Sequence, residues 1–362
     1  MTETALSQTP VYTARPTLRL AGQEDVRVSE LLIGMRMEES EGGMSALDLR
    51  FSNVASVTGG SAEIGFPADA KLRLGAAIEV YCGDELEPRE IFRGKITALE
   101  ADFRTGAPPE LTVLAEDSLQ QARLARRSKV YTDQSPADIV RAVAGELGLT
   151  PVITGLASPV ATWAQYNESD LAFLRRLLTR FDADLQVVGS ELQVSPRGEV
   201  RRGALDLEMF SQLARARVTA DLSAQVSAVS VRGWNARDGV AVKAEVSAGT
   251  HLGPGSGKEG AAVLRDAFGE RSEHIGHFAV ASDDEARALA EAAYDQRARR
   301  FVRVDGTAVG NARLRVGCHV SLSQLGAPYD NTYYVVRTCH VYDVHLGYRT
   351  DFAAECAFFG VP

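Results

Sequence analysis

Residues Ala46–Phe51 alternate strictly: Leu47, Leu49 and Phe51 fall on one face, Asp48 and Arg50 on the other. A period of two predicts a half-buried strand. Gly42-Gly43 just upstream predicts the turn of a hairpin that arrives from Leu31 to Met37. Further strands are expected over Ala76–Cys82, Arg89–Leu99 and Leu111–Ala115, with Pro108-Pro109 breaking the chain between the last two.

Near residue 125 the period changes. Ser135 followed by Pro136 and Asp138 is a helix start: a capping hydroxyl, a proline at the first helical position and an acid in the first turn. Ile139, Val140, Val143, Ala144 and Leu147 form its apolar stripe, and Gly148 ends it. A second helix is expected from Asp170 to Phe181, with Leu171, Leu174, Leu177 and Leu178 inward and Arg175, Arg176 and Arg180 outward. Asp184–Val188 and Glu191–Val194 read as a hairpin turned by Gly189-Ser190.

Strand patterning returns after residue 205. Val229 and Val231 lead to Trp234, and Val240, Val242, Ala244 and Val246 alternate after an Asp238-Gly239 turn. His251 to Gly260 is glycine-rich, Ser282 with Glu285 is a capping-box signature, and an alanine-rich helix runs to about Arg300. The last 60 residues read as strands, with turns at Asp330-Asn331 and Leu346-Gly347. Strands and helices do not alternate throughout, which argues against a doubly wound parallel sheet. The expected fold is mainly β with an α/β insertion, built from two β-barrel or sandwich units.

Composition narrows the function. Of 362 residues, 45% are hydrophobic and 24% charged, an ordinary globular balance. No stretch is long and apolar enough for a membrane-spanning helix, and the polar start, Met1 to Leu20, is not expected to be a secretion signal. The formal net charge of −9 disfavours general nucleic-acid binding, which draws on clustered cations. One dense basic run, Arg123–Lys129, reads as a solvated helix end. Cys82, Cys318, Cys339 and Cys356 are too few and scattered for a disulfide scaffold and are expected as reduced thiols.

Candidate chemistry is sparse. Gly253-Pro254-Gly255-Ser256-Gly257-Lys258 suggests a phosphate loop but fails on spacing: Leu252 stands where a glycine is required, and Glu259 follows the lysine. His274 and His277, and the pairs Cys318-His319 and Cys339-His340 with His345, lack the spacing of a metal site. No nucleophile turn is present. No catalytic, cofactor-binding or metal residues are assigned, and no enzyme is expected.

Several stretches together are specific. Asn167-Glu168-Ser169-Asp170-Leu171-Ala172-Phe173-Leu174-Arg175-Arg176-Leu177 resembles the E-S-D-x-x-F-L-x-R-L segment of the phage late-control protein D family, the baseplate hubs of contractile tails, and of the hub part of VgrG-type spikes. Ile91–Glu100 is similar to that family's F-x-G-x-(I/V)-T strand, and Val229–Asn235 to its V-x-G-W-(D/N) strand. Tyr333–Val336, His340 and Gly347–Phe352 resemble its closing strands.

The resemblance implies a homotrimeric hub at the distal end of a tail tube. Each chain would carry two tube-like β-barrels, so that three chains form a pseudo-sixfold ring between the sixfold inner tube and the threefold spike. It implies as partners the tail tube protein, a separate spike protein and other baseplate proteins, with no direct nucleic-acid recognition and no membrane insertion. The fused needle of VgrG-type spikes is expected to be absent, because the sequence stops at Pro362. Such a protein would be made in the bacterial cytoplasm and reside in a phage tail or injection-system particle; the sequence leaves open which. The expected units are an N-terminal arm (1–15), a first barrel (16–125), the α/β insertion (126–205) and a second barrel (206–362) interrupted by loop and helix at about 247–300. The net negative charge of three copies would make the lumen acidic. Alternative readings are a hub-associated peptidoglycan hydrolase and an effector or cargo adaptor. The segment His251 to Ser272 is expected to be mobile alone and ordered on assembly, with Gly253, Gly255, Gly257, Lys258 and Glu259 as candidate partner contacts.

Overall fold

The structure, a computed structural model, describes residues 15–56, 62–66, 71–83 and 88–360. The expected N-terminal arm lies outside the described residues except for Arg15. The architecture rests on β1 (Thr17–Leu20), β2 (Leu32–Ser40), β3 (Ala46–Ser52), β4 (Ala77–Gly83), β5 (Pro88–Asp102), β6 (Glu110–Glu116), β7 (Ala204–Glu208), β8 (Leu213–Ala220), β9 (Val302–Val309), β10 (His319–Ser323), β11 (Asn331–Asp343) and β12 (Gly347–Cys356). The principal helices are α1 (Pro136–Glu146), α2 (Asp170–Thr179), α3 (Gly260–Phe268) and α4 (Asp283–Arg299).

These strands, with the short strand Gln23–Glu24, make one 13-stranded sheet. Its path is β8-β9-β12-β11-β2-β3-β6-β5-β4-β1, and β10 and β7 branch from the start of β11. The protein is mainly β, as the alternation predicts. The two halves, however, share a continuous sheet through β11 and β2, and neither closes into a barrel among the described residues. A period-two pattern specifies which face of a strand is buried, not which strand lies beside it.

The halves repeat one topology. The first has the order β2-β3-β6-β5-β4-β1 and the second β8-β9-β12-β11-β10-β7, so adding six to each label converts one into the other. Register repeats as well. A β-bulge separates Leu32 from Gly34 on β2, and another separates Leu213 from Arg215 on β8. Bulges also fall between Ile96 and Ala98 on β5 and between Val335 and Arg337 on β11. Gly75 donates its N–H to Ile96 O at 2.8 Å, and Gly317 donates to Val335 O at 2.9 Å. One difference remains: β1 runs antiparallel to β4, whereas β7 runs parallel to β10.

Residues 117–203 lie between the halves and have their own core, centred on Ile139, Val140, Phe173, Leu174, Leu177 and Leu192. Ser135 and Asp138 form a reciprocal cap at the start of α1: Asp138 N–H donates to Ser135 Oγ, and Ser135 N–H donates to Asp138 Oδ2. Ser169 caps α2 through its Oγ, which accepts from Ala172 N–H. Arg175 on α2 donates to the carbonyls of Gly42 and Gly43, both at 2.7 Å, and so fastens this unit to the β2–β3 turn. That turn requires glycine: Gly43 has φ +70°, and a Cβ there would stand 2.6 Å from Leu119 Cδ1.

A second insertion separates β8 from β9. It is wider than the expected loop and helix at about 247–300. Ala228–Asn235 pairs with Val240–Val246 and Ser272–Ile275 in a separate sheet, and α4 packs on that sheet around Val229, Val231, Leu289 and Tyr294. The strand signal at Val229–Val246 was legible, but nothing local assigns a strand to one sheet rather than another.

Candidate assembly surface

The joint between the halves is polar at its centre. Glu39 on β2 lies opposite Thr338 on β11 and is 4% exposed. Its carboxylate accepts from Arg315 Nε at 2.8 Å, Arg315 Nη2 at 2.6 Å, Val316 N–H at 2.7 Å and Thr338 Oγ1 at 3.0 Å. Burial alone would raise its pKa, but the Arg315 guanidinium outweighs that and holds it below the usual range. His340, next but one along β11, is fully buried, with Nδ1 2.7 Å from Tyr348 Oη. Burial, with Arg315 adding to it, pushes His340 down to about 3.

A second network joins the 117–203 unit to the end of β2 through Arg197 and Glu41 and to α4 through Asp182 and Arg299, with Arg202 and Asp184 paired inside the unit. Arg197 pairs with Glu41, Arg202 Nη1 donates to Asp184 at 2.5 Å, and Arg299 Nη2 donates to Asp182 at 2.6 Å. Removing one partner from such a pair leaves an uncompensated charge, so the Arg197–Glu41 and Arg299–Asp182 contacts fix how the units sit together.

From β8 across to β5 the sheet presents one long polar face. Arg36 stands opposite Asp48, Arg217 opposite Asp305, Arg303 opposite Glu355 and Lys95 opposite Glu116. The other face is the core, with Leu49, Val113, Val304 and Phe352 buried. Both signs of charge are interleaved across this surface, so the chain's negative charge is not concentrated there. An acidic lumen formed by this face, as expected from net charge, is therefore not supported; net charge says nothing about which face carries it.

The glycine-rich segment is more ordered than its composition implied. Gly253 lies beside Arg299 of α4, Gly255 beside Cys356 and Asn331, and Gly257 beside Phe359 and Gly360, while Lys258 and Glu259 pair with Phe359 and Phe358. Ser256 N–H donates to Asn331 Oδ1, Asn331 Nδ2 returns a bond to Ser256 O, and Asp295 accepts from the N–H groups of Thr250 and His251. The helix α3 then occupies residues expected as loop. The glycines serve close approach here: at Gly257, with φ +123°, a Cβ would stand 2.8 Å from the carbonyl oxygens of Phe359 and Gly360. In this structure the segment packs against residues 358–360 of its own chain. Lys258 remains exposed, 3.8 Å from Asp266.

Other singled-out residues do not converge. All four cysteines are buried and unpaired by disulfides. His274 Nδ1 lies 3.2 Å from Ser230 Oγ, and His277 packs on the Phe278 ring. Among the described residues, no group of three or more His, Cys, Asp or Glu side chains is placed to hold a metal. The basic run spans the end of a short helix and the start of a strand, where Arg123 pairs with Glu116 and Arg127 with Glu146 and Asp170. Local motif reading missed the internal repeat. Its signal was present: Lys71-Leu72-Arg73-Leu74-Gly75-Ala76-Ala77-Ile78 and Arg313-Leu314-Arg315-Val316-Gly317-Cys318-His319-Val320 share one pattern.

Comparison with known proteins agrees with this architecture. A family model described as the Alg8 N-terminal domain matches residues 57–343. No curated protein matches the sequence at a significant level. Among solved structures, the 43 kDa tail protein of prophage MuSo2 from Shewanella oneidensis superposes with a TM-score of 0.68 at 12% identity, covering 94% of this chain and 97% of its own. The E. coli c3393 protein, described as a type VI secretion component similar to the T4 tail proteins gp27 and gp5, gives 0.61 at 12% identity over 95% of this chain and 79% of its own. A tail protein from Neisseria meningitidis MC58 gives 0.61 at 10% identity over 94% and 96%. The fold is shared with these tail and type VI secretion proteins.

Proposed function

The chain belongs to the Alg8 N-terminal domain family, and from its tail-protein fold and internal repeat we propose that it is a structural hub of a contractile tail or injection-system baseplate, joining the sixfold inner tube to the threefold spike. The observation that carries this reading is the repeat: two six-stranded units of one strand order and matching bulges in a single chain. Three such chains present six equivalent units, the number needed to meet a sixfold tube while keeping threefold symmetry for a spike. Head-to-tail contacts of this kind form rings when the rotation closes. In the ring, the interleaved polar face lines the lumen and the apolar face remains core.

Its proposed partners are two further copies of itself, the tube protein, a separate spike protein and neighbouring baseplate proteins. The protein resides in the assembled particle. That its structural neighbours are described as tail proteins favours a structural over a catalytic role. The exposed Lys258 and the segment Gly253–Glu259 are offered to such a neighbour from a fixed position rather than as a mobile loop.

The test is mass in solution together with zymography on cell wall. A trimer without lytic activity supports the hub; a lytic monomer contradicts it.

A further inference from the structure

The repeat points to a specific junction between copies, an inference that rests on the hub reading and adds the surfaces that meet. Within one chain, the free side of β2 pairs with the second half of β11, from Arg337↔Ser40 to Asp343↔Gly34. The repeat counterpart of β2 is β8, and the counterpart of β11 is β5. Among the described strands, β8 pairs only with β9. The side of β5 that faces β4 is paired only as far as Ile96, whose N–H donates to Ala76 O. Residues 97–102 are left open on that side, where the counterpart stretch of β11 is covered by β2. One chain therefore carries a filled joint and both halves of an unfilled one. The two halves lie at opposite ends of the eight-strand run from β8 to β5.

We propose that β8 of one copy pairs antiparallel with residues 98–102 of β5 of the next copy, in the register of the internal joint. The bulges fix the correspondence. Arg337–Val341 corresponds to Ala98–Asp102, and Arg36–Ser40 corresponds to Arg217–Asp221. Thr338↔Glu39 then becomes Leu99↔Ala220, His340↔Met37 becomes Ala101↔Val218, and Val341↔Arg36 becomes Asp102↔Arg217. The carried-over register places opposite charges face to face on the polar side, and on the core side it pairs only apolar residues.

Burial supports the same assignment. Thr338 is 0% exposed in the filled joint, whereas its counterpart Leu99 is 38% exposed and waits for cover. The chemistry also keeps the joints distinct. The internal joint buries Glu39 with Thr338 and His340, and the junction between copies offers no such acceptor. An edge that pairs in the wrong place would leave the Glu39 carboxylate or its donors unsatisfied, which disfavours the exchange.

The test uses the full chain. Opposite residues of an antiparallel pair hold their Cβ atoms about 4.5–5.5 Å apart, within reach of a disulfide after a small adjustment. Leu99→Cys combined with Ala220→Cys should form disulfides between copies on mild oxidation, ending in a covalent trimer, while each single variant should not. The four native cysteines are buried and do not compete. Asp102→Arg alone should weaken assembly about tenfold, because like charges meet; since Arg217 also faces Asp305 in its own chain, the double variant with Arg217→Asp is compared with Arg217→Asp alone and should assemble at least as well as it, to within about threefold. A trimer of normal mass that neither cross-links nor responds to the charge exchange overturns this junction and leaves the hub reading intact. Cross-linking that continues to a hexamer supports the junction and overturns the stoichiometry of the hub. A chain that stays monomeric at all concentrations overturns both.

Discussion

Glu39 and Arg315 stand 276 residues apart in sequence and form a two-pronged ion pair at 2.6 and 2.8 Å across the joint between the halves. The contact binds β2 of the first half to the loop that enters β10 of the second. Glu39→Gln leaves the half-buried Arg315 guanidinium without its carboxylate partner, and a loss of about 2–3 kcal/mol is expected, below the full buried-pair penalty because the guanidinium keeps some contact with solvent. Urea denaturation measures it. A loss below about 1 kcal/mol would mean that water reaches the joint.

His340 predicts a pH dependence. Its folded pKa is pushed from 6.5 to about 3, so it is neutral in the fold and charges first in the unfolded chain. A depressed folded value gives stability that is full above pH 6.5 and lost as pH falls toward 3, at about 1.4 kcal/mol per pH unit within that window. Glu39, also depressed, adds loss in the same direction at lower pH. Replacing His340 by Gln should flatten the profile between about pH 6.5 and 5. Parallel profiles for the two proteins would show that His340 is reached by solvent.

Two glycines separate close approach from flexibility. Gly145 in α1 has open space where an alanine methyl would sit and an ordinary helical backbone, so Gly145→Ala should stabilise by about 0.5–1 kcal/mol. Gly257→Ala should destabilise by about 1–3 kcal/mol, because its backbone is left-handed and two carbonyl oxygens occupy the methyl's place. Equal thermal shifts for the two variants would return the segment to the status of a loose loop.

The helix α2 is a packing element. Leu174 is 0% exposed, and Leu174→Asp should abolish cooperative folding because an unpaired carboxylate is buried at a cost of several kcal/mol. Arg176, which bonds Glu168 and the Ala164 carbonyl at the surface, should cost about 1 kcal/mol or less on truncation to Ala. Circular dichroism melts of both variants check this; a normal melt for Leu174→Asp would contradict the packing.

Local signals read well where one residue type has one physical job. Ser135, Pro136 and Asp138 announced α1, and the alternation at Leu47, Leu49 and Phe51 announced β3 and its buried face. Gly42-Gly43 announced the hairpin turn because only glycine takes those positive φ values cheaply. Partner choice was not legible. Val229 and Val231 pattern like strands of the main sheet but belong to another. The pairing of β2 with β11 sets Met37 opposite His340, from nearly opposite ends of the chain, and no local pattern announces such a partner. Glycine was ambiguous in the segment Gly253–Gly257, where the same composition serves mobility or close contact and only the neighbouring strand decides between them.

The most direct test is electron microscopy of the purified protein with its mass determined in the same sample. The hub reading predicts a ring of three copies that shows six similar β-units around a central channel. A monomer, or a ring built from six copies, would contradict it.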